Sequence, residues 1–183
     1  MVLPAHWQDQ VIRFWFEEIS PQAWFERNQQ VDAQIRERFS TLHEIVSQAR
    51  DEVLLADRRA ALAAVIVLDQ FSRNLFRGSA RAFATDAKAL AIAKHAVDKG
   101  WDGQLSENER VFLYLPFEHA EDAAEQVRSV ELFTALGDAV TLDYALRHKE
   151  VIDRFGRYPH RNAVLGRSST PEEIEFMKTH PGF

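Results

Sequence analysis

Residues 60–71 constrain the fold of this chain more than any other segment, because almost every side chain in them is apolar. A helix that is hydrophobic on all sides is buried at the centre of a protein, whereas a surface helix carries only one apolar stripe. The uninterrupted apolar part, residues 60–68, is far shorter than the roughly 20 residues that a helix needs to cross a bilayer. The segment therefore predicts a central helix of a soluble domain, which begins after Asp57 and ends before Gly78.

Elsewhere the apolar residues recur at spacings of three and four, which is the pattern of one face of a helix. The clearest stripes are Trp7, Val11, Phe14, Trp15 and Ile19, followed by Ile35, Phe39, Leu42 and Val46. No alternating run of apolar and polar residues is long enough to predict a strand. A chain of 183 residues fits one domain over residues 1–183. We therefore expect an all-α array of antiparallel helices with short connections and no sheet.

Capping residues mark where these helices begin and end. The expected N-caps are Asp32, Asp57, Thr85 or Asp86, Ser106, Asp138 and Thr170, and the expected stops are Gly100, Gly137 and Gly156. Pro116 is expected to break or kink a helix, because proline lacks the backbone N–H, and the next helix is expected over residues 118–136. In the helix after Asp138, we expect Leu142, Leu146 and Phe155 to point inward.

Composition excludes several classes of function. The net charge of −6 argues against a general nucleic-acid-binding surface. The lack of cysteine excludes disulfides and thiolate metal sites, and the first residues show no secretory signal, so a cytoplasmic location is expected. No phosphate-binding Gly-rich loop, nucleophile elbow or His-Glu-x-x-His motif is present, so no cofactor and no metal are predicted. Nothing in the sequence predicts a membrane span or an oligomeric state.

A first polar motif follows the most apolar part of the chain. Asp69 and Arg73 are four residues apart, and so are Gln70 and Asn74, so each pair can touch on one helical face. A buried polar group without a partner costs about 1–3 kcal/mol, so these side chains need partners. Either an Asp69–Arg73 ion pair ties neighbouring helices together, or the motif lines a ligand pocket inside a helical bundle.

A second motif surrounds Pro116. His119, Asp122 and Gln126 have the spacing of one helical face. His119 is a candidate general base, with Asp122 or Glu121 as the carboxylate that orients it. It could also be half of a metal site, but two ligands do not make one. Alternatively, His119 bonds a carbonyl that proline leaves without a partner, and the acidic residues lie at a helix N-terminus, where negative charge is favoured.

A third motif lies in residues 157–169, which lack a helical stripe and predict an ordered loop. Its polar residues are Arg157, His160, Arg161, Asn162 and Arg167. The planar forks of three arginines can hold a phosphate or carboxylate group, and His160 is a second candidate base. Alternatively, these arginines pair with the acidic residues that are in excess over the rest of the chain.

With these motifs, the sequence resembles the uncharacterised bacterial family called domain of unknown function 924. The matching segments are residues 14–16, 24–25, 69–74, 77–78, 82–83, 114–122, 126, 129–130, 155–162 and 165–167. The resemblance implies an all-helical fold like that of tetratricopeptide-repeat proteins, although no repeat of about 34 residues is visible in the sequence. It implies no established activity.

Three hypotheses about function remain open. The first is a binding module for a small anionic ligand or for an acidic or C-terminal peptide segment. Its predicted ligand-binding residues are Asp69, Gln70, Arg73, Asn74, His119, Gln126, Arg157, His160, Arg161, Asn162 and Arg167. The second is a hydrolytic or acid–base enzyme with His119 or His160 as base, and the third is a helical scaffold whose polar motifs are structural only. The missing catalytic motifs favour binding over catalysis.

The binding hypothesis predicts that the three motifs converge on one polar cleft. Its expected members are Asp69, Arg73, His119, Arg157 and Arg161. Within it, Arg73 is expected to be structural, because Asp69 lies one helical turn before it. Arg161 is expected to line the cleft, because no carboxylate lies within four residues of it in the sequence.

Overall fold

A computed structural model describes residues 2–182 of the chain, and helices supply all the regular structure within them. The prediction of an all-α fold without a sheet is therefore confirmed for this part of the chain. The resemblance to tetratricopeptide-repeat proteins stays a prediction. The contacts in space between residues divide the described chain into two compact units. The first contains residues 2–77 and 81–116, and the second contains residues 78–80 and 117–182. That the chain forms one domain also stays a prediction.

The first unit contains the central apolar segment. Its helices are α1 (Trp7–Arg13), α2 (Pro21–Trp24), α3 (Gln29–Gln48), α4 (Asp51–Leu54), α5 (Arg58–Val65), α6 (Ser72–Leu75), α7 (Asp86–Asp98) and the start of α8 (Glu107–His119). Two π-helical segments, Phe14–Glu18 after α1 and Ile66–Phe71 after α5, continue those helices with wider turns. A short 3₁₀ turn, Asp102–Gln104, precedes α8.

The core of the first unit forms around α5 and its π-helical continuation. Every residue of 60–72 is buried, which confirms the predicted central helix. The rings of Phe14, Phe39 and Phe71 pack together there, with centroids 4.9–6.0 Å apart. The wider π turns were not predicted, because apolar spacing does not distinguish them from an α-helix. Such turns are rare and often occur near functional sites.

One predicted helix start in the first unit is wrong. Asn28, and not Asp32, is the N-cap of α3, and its side-chain oxygen accepts hydrogen bonds from the backbone of Gln30 and Val31 at 3.0 and 3.2 Å. Asp32 lies in the first turn of the helix, where it binds the side chain of Asn74 from α6 and that of Arg77 just after α6. The two residues have equal capping propensity, and the contacts of Asp32 decide between them.

The second unit consists of a helical hairpin, a loop and a short final helix. Its helices are α9 (Ala123–Leu136), α10 (Ala139–Phe155) and α11 (Pro171–Met177), with a 3₁₀ turn at Pro159–Arg161. The stops at Gly137 and Gly156 are confirmed, and both residues adopt positive φ angles of 86° and 68° that favour glycine. The expected caps at Asp138 and Thr170 are confirmed, and the Thr170 cap forms a capping box with Glu173.

Two further helix predictions, one for α8 and one for α10, are wrong. Pro116 does not break α8, which continues to His119 because the burial of residues 111–118 outweighs the loss of one backbone hydrogen bond. The break comes at residues 120–122, and Asp122 caps α9, so His119 and Gln126 belong to different helices. In α10 Leu146 is 48% exposed, and the buried face instead carries Ala145, His148, Val151 and Ile152.

Among residues 2–182, no helix is long and apolar enough to cross a membrane.

Candidate functional site

The first polar motif is an ion-pair cluster in the first unit. Asp69 is fully buried in the π-helical segment, and its carboxylate lies 3.1 Å from Arg73 Nη1. Gln70 Nε2 donates to the other carboxylate oxygen at 2.6 Å. Arg73 also donates two parallel hydrogen bonds to Asp86, at 3.0 and 3.1 Å. Arg73 therefore pairs with Asp69, as predicted, and also with Asp86 from another helix. Asp69 is fully buried and Asp86 is partly buried.

Asn74 binds Asp32 instead of its predicted partner Gln70, and Arg77 binds the same carboxylate. Asn74 Nδ2 donates to Asp32 Oδ1 at 2.8 Å, and Arg77 donates to both carboxylate oxygens at 2.6 and 2.9 Å. Burial raises the pKa of Asp32, but the hydrogen bonds from Arg77 and Asn74 outweigh it and leave the pKa below its ordinary value. Asp32 is therefore ionised at neutral pH and fixes the end of the polar segment to α3.

In the second unit, Arg157 anchors the loop of the third motif to α11. It donates hydrogen bonds of 2.7 and 2.9 Å to the two carboxylate oxygens of Glu173, which is only 2% exposed. Arg157 also donates to the carbonyl of Ser168 at 2.9 Å. The hydrogen bonds from Arg157 lower the pKa of Glu173 to about 2. This arginine thus has a carboxylate partner that the local sequence does not show.

Arg167 makes a similar pair with Glu121. Its two terminal nitrogens donate to the Glu121 oxygens at 2.6 and 2.9 Å, and its Nε donates to Asn162 Oδ1 at 2.9 Å. The backbone N–H of Tyr158 also donates to Glu121, at 2.7 Å. Burial raises the pKa of Glu121, but these bonds outweigh it and lower the pKa overall. Glu121 therefore holds the loop in place as an ionised carboxylate.

Three basic side chains contact the buried ring of Tyr158 and a fourth contacts one of these three, and we call the four the basic cluster: His148, His160, Arg161 and His119. The Arg161 guanidinium lies 4.5 Å from the Tyr158 ring centroid. The imidazoles of His148 and His160 lie 5.6 and 5.7 Å from it. His119 joins the cluster through His148, with ring centroids 6.2 Å apart. The basic cluster thus combines side chains from the end of α8, from α10 and from the 3₁₀ turn.

His148 is the most perturbed member of the basic cluster. Its Nδ1 lies 2.8 Å from the Tyr144 carbonyl oxygen and 3.3 Å from Glu118 Oε1, so these acceptors assign the proton to Nδ1. Burial, together with the charges of His119, Arg161 and His160, lowers the pKa of His148 to about 3. His148 is therefore neutral at physiological pH, and its Nε2 carries the lone pair.

Gln126 and Tyr158 bind the backbone carbonyl groups at the end of α8. Gln126 Nε2 lies within hydrogen-bond distance of the carbonyl oxygens of Glu118 and Ala120, at 2.7 and 2.8 Å, and of the Tyr158 hydroxyl, at 2.9 Å. The Tyr158 hydroxyl in turn donates to the Glu118 carbonyl. Burial raises the pKa of Tyr158, so the phenol keeps its proton. Gln126 thus binds the carbonyls that the helix end leaves without backbone partners.

The carboxylates that were expected to orient a catalytic histidine have other partners. Asp122 accepts hydrogen bonds from the backbone of Ala124 and Glu125, at 2.8 and 3.1 Å, as the N-cap of α9. Glu121 binds Arg167 and the loop backbone. Glu118, which was not among the expected partners, lies 3.3 Å from the imidazole of His148. In the part of the chain described, no three His, Cys, Asp or Glu side chains form a group that could hold a metal ion.

Sequence reasoning missed three buried members of these networks: His148, Tyr158 and Glu118. The spacing of Ala145, His148 and Ile152 would have placed His148 on the buried face of α10. A further missed contact lies in the first unit, where His43 Nε2 is 2.7 Å from the Ser72 hydroxyl. Ser72 is fully buried, so this pair has no access to a substrate.

Within the second unit the structure brings the second and third motifs together, since Glu121 and Gln126 bind residues of the 157–169 loop. Asp69 and Arg73 belong to the first unit. The convergence of all three motifs on one cleft stays a prediction, and so does the ligand-binding role of each candidate residue.

Comparison with known proteins agrees with the helical architecture. The sequence profile of a family described as "Bacterial protein of unknown function (DUF924)" matches residues 11–181. The solved structure of a protein of unknown function from Agrobacterium tumefaciens has a TM-score of 0.91 and 38% sequence identity, and the match covers 96% of this chain and 99% of that chain. No curated protein matches the chain. These similarities indicate a fold and carry no assigned activity.

Proposed function

The chain belongs to the DUF924 family of bacterial proteins of unknown function, and from that premise we propose that it is a binding module whose basic cluster holds a small anion. The ligand carries a phosphate or a carboxylate group, because both accept charge-assisted hydrogen bonds from arginine and imidazole N–H groups. Binding rather than a chemical reaction is the proposed activity.

One observation carries the proposal, namely that three basic side chains contact the Tyr158 ring and a fourth, His119, lies beside His148. Burial is the largest cause of the lowered pKa of His148, and the neighbouring charges of His119, Arg161 and His160 lower it further, as expected for basic groups held close together. Negative charge near these groups is therefore favourable. A bound anion would add to the charge of Glu118, and Arg161 would hold it most strongly, because its guanidinium is charged at every physiological pH.

The other candidate arginines have a different role in this proposal. Arg73, Arg157 and Arg167 each donate two parallel hydrogen bonds to a carboxylate at 2.6–3.1 Å. A ligand anion would have to displace those carboxylates. We therefore assign Arg157 and Arg167, with Asn162, to holding the loop that carries the proposed ligand contacts His160 and Arg161.

The Glu118–His148 contact is the observation that favours the acid–base alternative. A carboxylate beside Nδ1 orients an imidazole, as in many general-base pairs. However, a base with a pKa of about 3 is weak at neutral pH, and His148 is only 5% exposed. The binding proposal therefore has more support than the catalytic one.

Phosphate titration of the purified protein tests the proposal, with calorimetry at constant ionic strength near neutral pH. We expect saturable binding, and a Kd of about 1 mM would correspond to about −4.1 kcal/mol. Arg161→Gln should weaken binding about tenfold or more. The matched control is Arg147→Gln, because Arg147 is an exposed arginine of the same unit that pairs with Asp143 at 2.7 Å. Phosphate affinity should be unchanged in this control.

Arg161 is only 6% exposed, so its loss can also affect folding. Arg161→Lys and His160→Gln are therefore titrated beside it, with circular dichroism as the check on the fold. Arg161→Lys should bind phosphate with intermediate affinity because it keeps the charge but loses the fork. A parent protein without saturable binding, or equal weakening in Arg147→Gln and the folded cluster variants, would overturn the proposal in favour of a purely structural role.

A further inference from the structure

A second candidate site lies in the first unit, at an open depression with a volume of about 480 Å³. Its lining residues are Gln10, Arg13, Glu18, Arg38 and Phe39. The volume is within the range of about 300–1,000 Å³ that is common for small-molecule sites. None of these residues belongs to the three polar motifs, so a ligand here would be independent of the basic cluster.

The first π-helical segment shapes this depression. Helix α1 ends at Arg13, the wider turn Phe14–Glu18 follows, and the chain becomes extended at Ile19. Arg13, just before the wider turn, and Glu18, its last residue, both line the depression. Across it, Arg38 from α3 lies with its guanidinium over the ring of Phe14, 4.6 Å from the centroid. The guanidinium of Arg38 thus lies against the buried rings of Phe14 and Phe39, and Arg38 also lines the depression.

The charges in the depression do not balance. Arg38 donates to both oxygens of Glu18, at 2.6 and 3.3 Å. Arg13 Nε lies 3.8 Å from the same carboxylate, too far for a hydrogen bond, and the Arg13 side chain is 73% exposed. Two cations therefore share one anion. Since an arginine carries five N–H donors, both guanidinium groups have N–H groups left for a ligand.

We propose that this depression binds a small organic anion, a carboxylate or a phosphate ester, whose charged group bridges Arg13 and Arg38. A planar fork binds either group through two parallel hydrogen bonds. The Gln10 side-chain amide at the rim would contact a polar substituent of the ligand. The ligand brings the second negative charge, so Glu18 keeps its bonds to Arg38 when the site fills.

The test is a nuclear magnetic resonance titration of the ¹⁵N-labelled protein with two probes, acetate and inorganic phosphate, at ionic strength held constant with chloride. Saturable shifts are expected in residues 10–18 and at Arg38 and Phe39. The probe that binds more tightly identifies the carboxylate or the phosphate as the preferred group. Arg38→Gln and Arg13→Gln should each weaken binding about fivefold or more, because each removes one side of the bridge. Both variants should stay folded, since exposed ion pairs contribute little to stability.

The matched control is Arg59→Gln. Arg59 is 46% exposed in its side chain and pairs with Asp9 at 3.0 Å, much like Arg38 with Glu18, but it does not line the depression. Its variant should bind both probes like the parent. Shifts that rise linearly with probe concentration, or equal weakening by Arg59→Gln, would overturn the inference. Saturable shifts confined to His160 and Arg161 would also overturn it, while supporting the function proposed for the basic cluster.

Discussion

Removal of Arg73 should destabilise the protein more than removal of any exposed arginine. The guanidinium lies between Asp69, whose side chain is 1% exposed, and Asp86, whose side chain is 18% exposed. Arg73 also donates to the backbone carbonyl of Asp69 at 2.8 Å. Arg73→Ala leaves a buried carboxylate without its cation in the centre of the first unit.

The expected loss is about 3–5 kcal/mol, which is the usual cost of breaking a buried ion pair from one side. A typical domain is stable by about 5–15 kcal/mol, so the loss is a large fraction of the total. With a urea dependence of about 2 kcal/mol per M, the midpoint should fall by about 1.5–2.5 M. Circular dichroism at increasing urea concentration measures this midpoint.

Two comparisons give this prediction its controls. Arg59→Ala removes an exposed pair at a similar distance and should cost only about 0–1 kcal/mol. The double variant Asp69→Asn/Arg73→Met removes the stranded charge as well, so it should recover part of the loss. If Arg73→Ala lowers the free energy of unfolding by less than about 1 kcal/mol, Arg73 is not the structural link that its contacts indicate.

Three further predictions concern the second unit. Burial lowers the pKa of His148 from 6.5 to about 3, so on acidification the unfolded chain binds this proton before the folded protein does. The contribution of His148 to the free energy of unfolding is therefore complete above about pH 6.5. It falls between about pH 6.5 and pH 3, by at most about 1.4 kcal/mol per pH unit. His148→Asn should therefore flatten the dependence of the urea midpoint on pH between about pH 6 and 5, and an unchanged slope would contradict a buried, neutral His148. Tyr158→Phe removes one hydrogen-bond partner from the buried Gln126 amide and one from the Glu118 carbonyl. It should lower the free energy of unfolding, measured by urea denaturation, by about 1–3 kcal/mol. An unchanged free energy of unfolding would show that the hydroxyl contributes nothing. Thr170→Ala removes the cap of α11 and should cost about 1 kcal/mol, read as faster amide exchange in residues 171–177, with unchanged exchange as the contrary result.

The helices could be predicted from the sequence wherever the signal is local. The caps at Asp57, Asp138 and Thr170 and the stops at Gly137 and Gly156 depend on residues within one turn, and the structure confirms them. The central helix was equally clear, because an all-apolar segment has only one favourable place in a soluble domain. Local and tertiary preferences agree at these positions.

The helix ends that were wrong are those where tertiary packing decides. Pro116 disfavours a helix locally, but residues 111–118 are buried, and α8 continues through it. Asp32 has the side chain of a good cap, but its carboxylate binds Asn74 and Arg77, more than forty residues away in the chain. Spacing rules do not include contacts of this range.

The sequence predicted most of the polar residues of the candidate site, but it did not predict which of them pair with each other. The sequence indicated the polar residues of the 157–169 loop, but the partners of Arg157 and Arg167 are Glu173 and Glu121, which are 16 and 46 residues distant. His148 was overlooked because Leu142 and Leu146 suggested a different buried face of α10. Contacts between residues far apart in the chain distinguish the arginines that pair with carboxylates from the arginine of the basic cluster. Sequence motifs contain no information about such contacts.

The most direct test of the central proposal is the urea midpoint of the parent and of Arg161→Gln, each with and without inorganic phosphate. Phosphate stabilises most proteins by exclusion from their surface, so the informative quantity is the difference between the two proteins. At phosphate concentrations about 100 times the Kd, a bound anion adds about 2.7 kcal/mol to the stability of the parent. A tenfold weaker affinity leaves the variant a gain of about 1.4 kcal/mol at the same concentration, so we predict that phosphate stabilises the parent by at least about 1.3 kcal/mol more than the variant. Equal stabilisation of both proteins would contradict anion binding at the basic cluster.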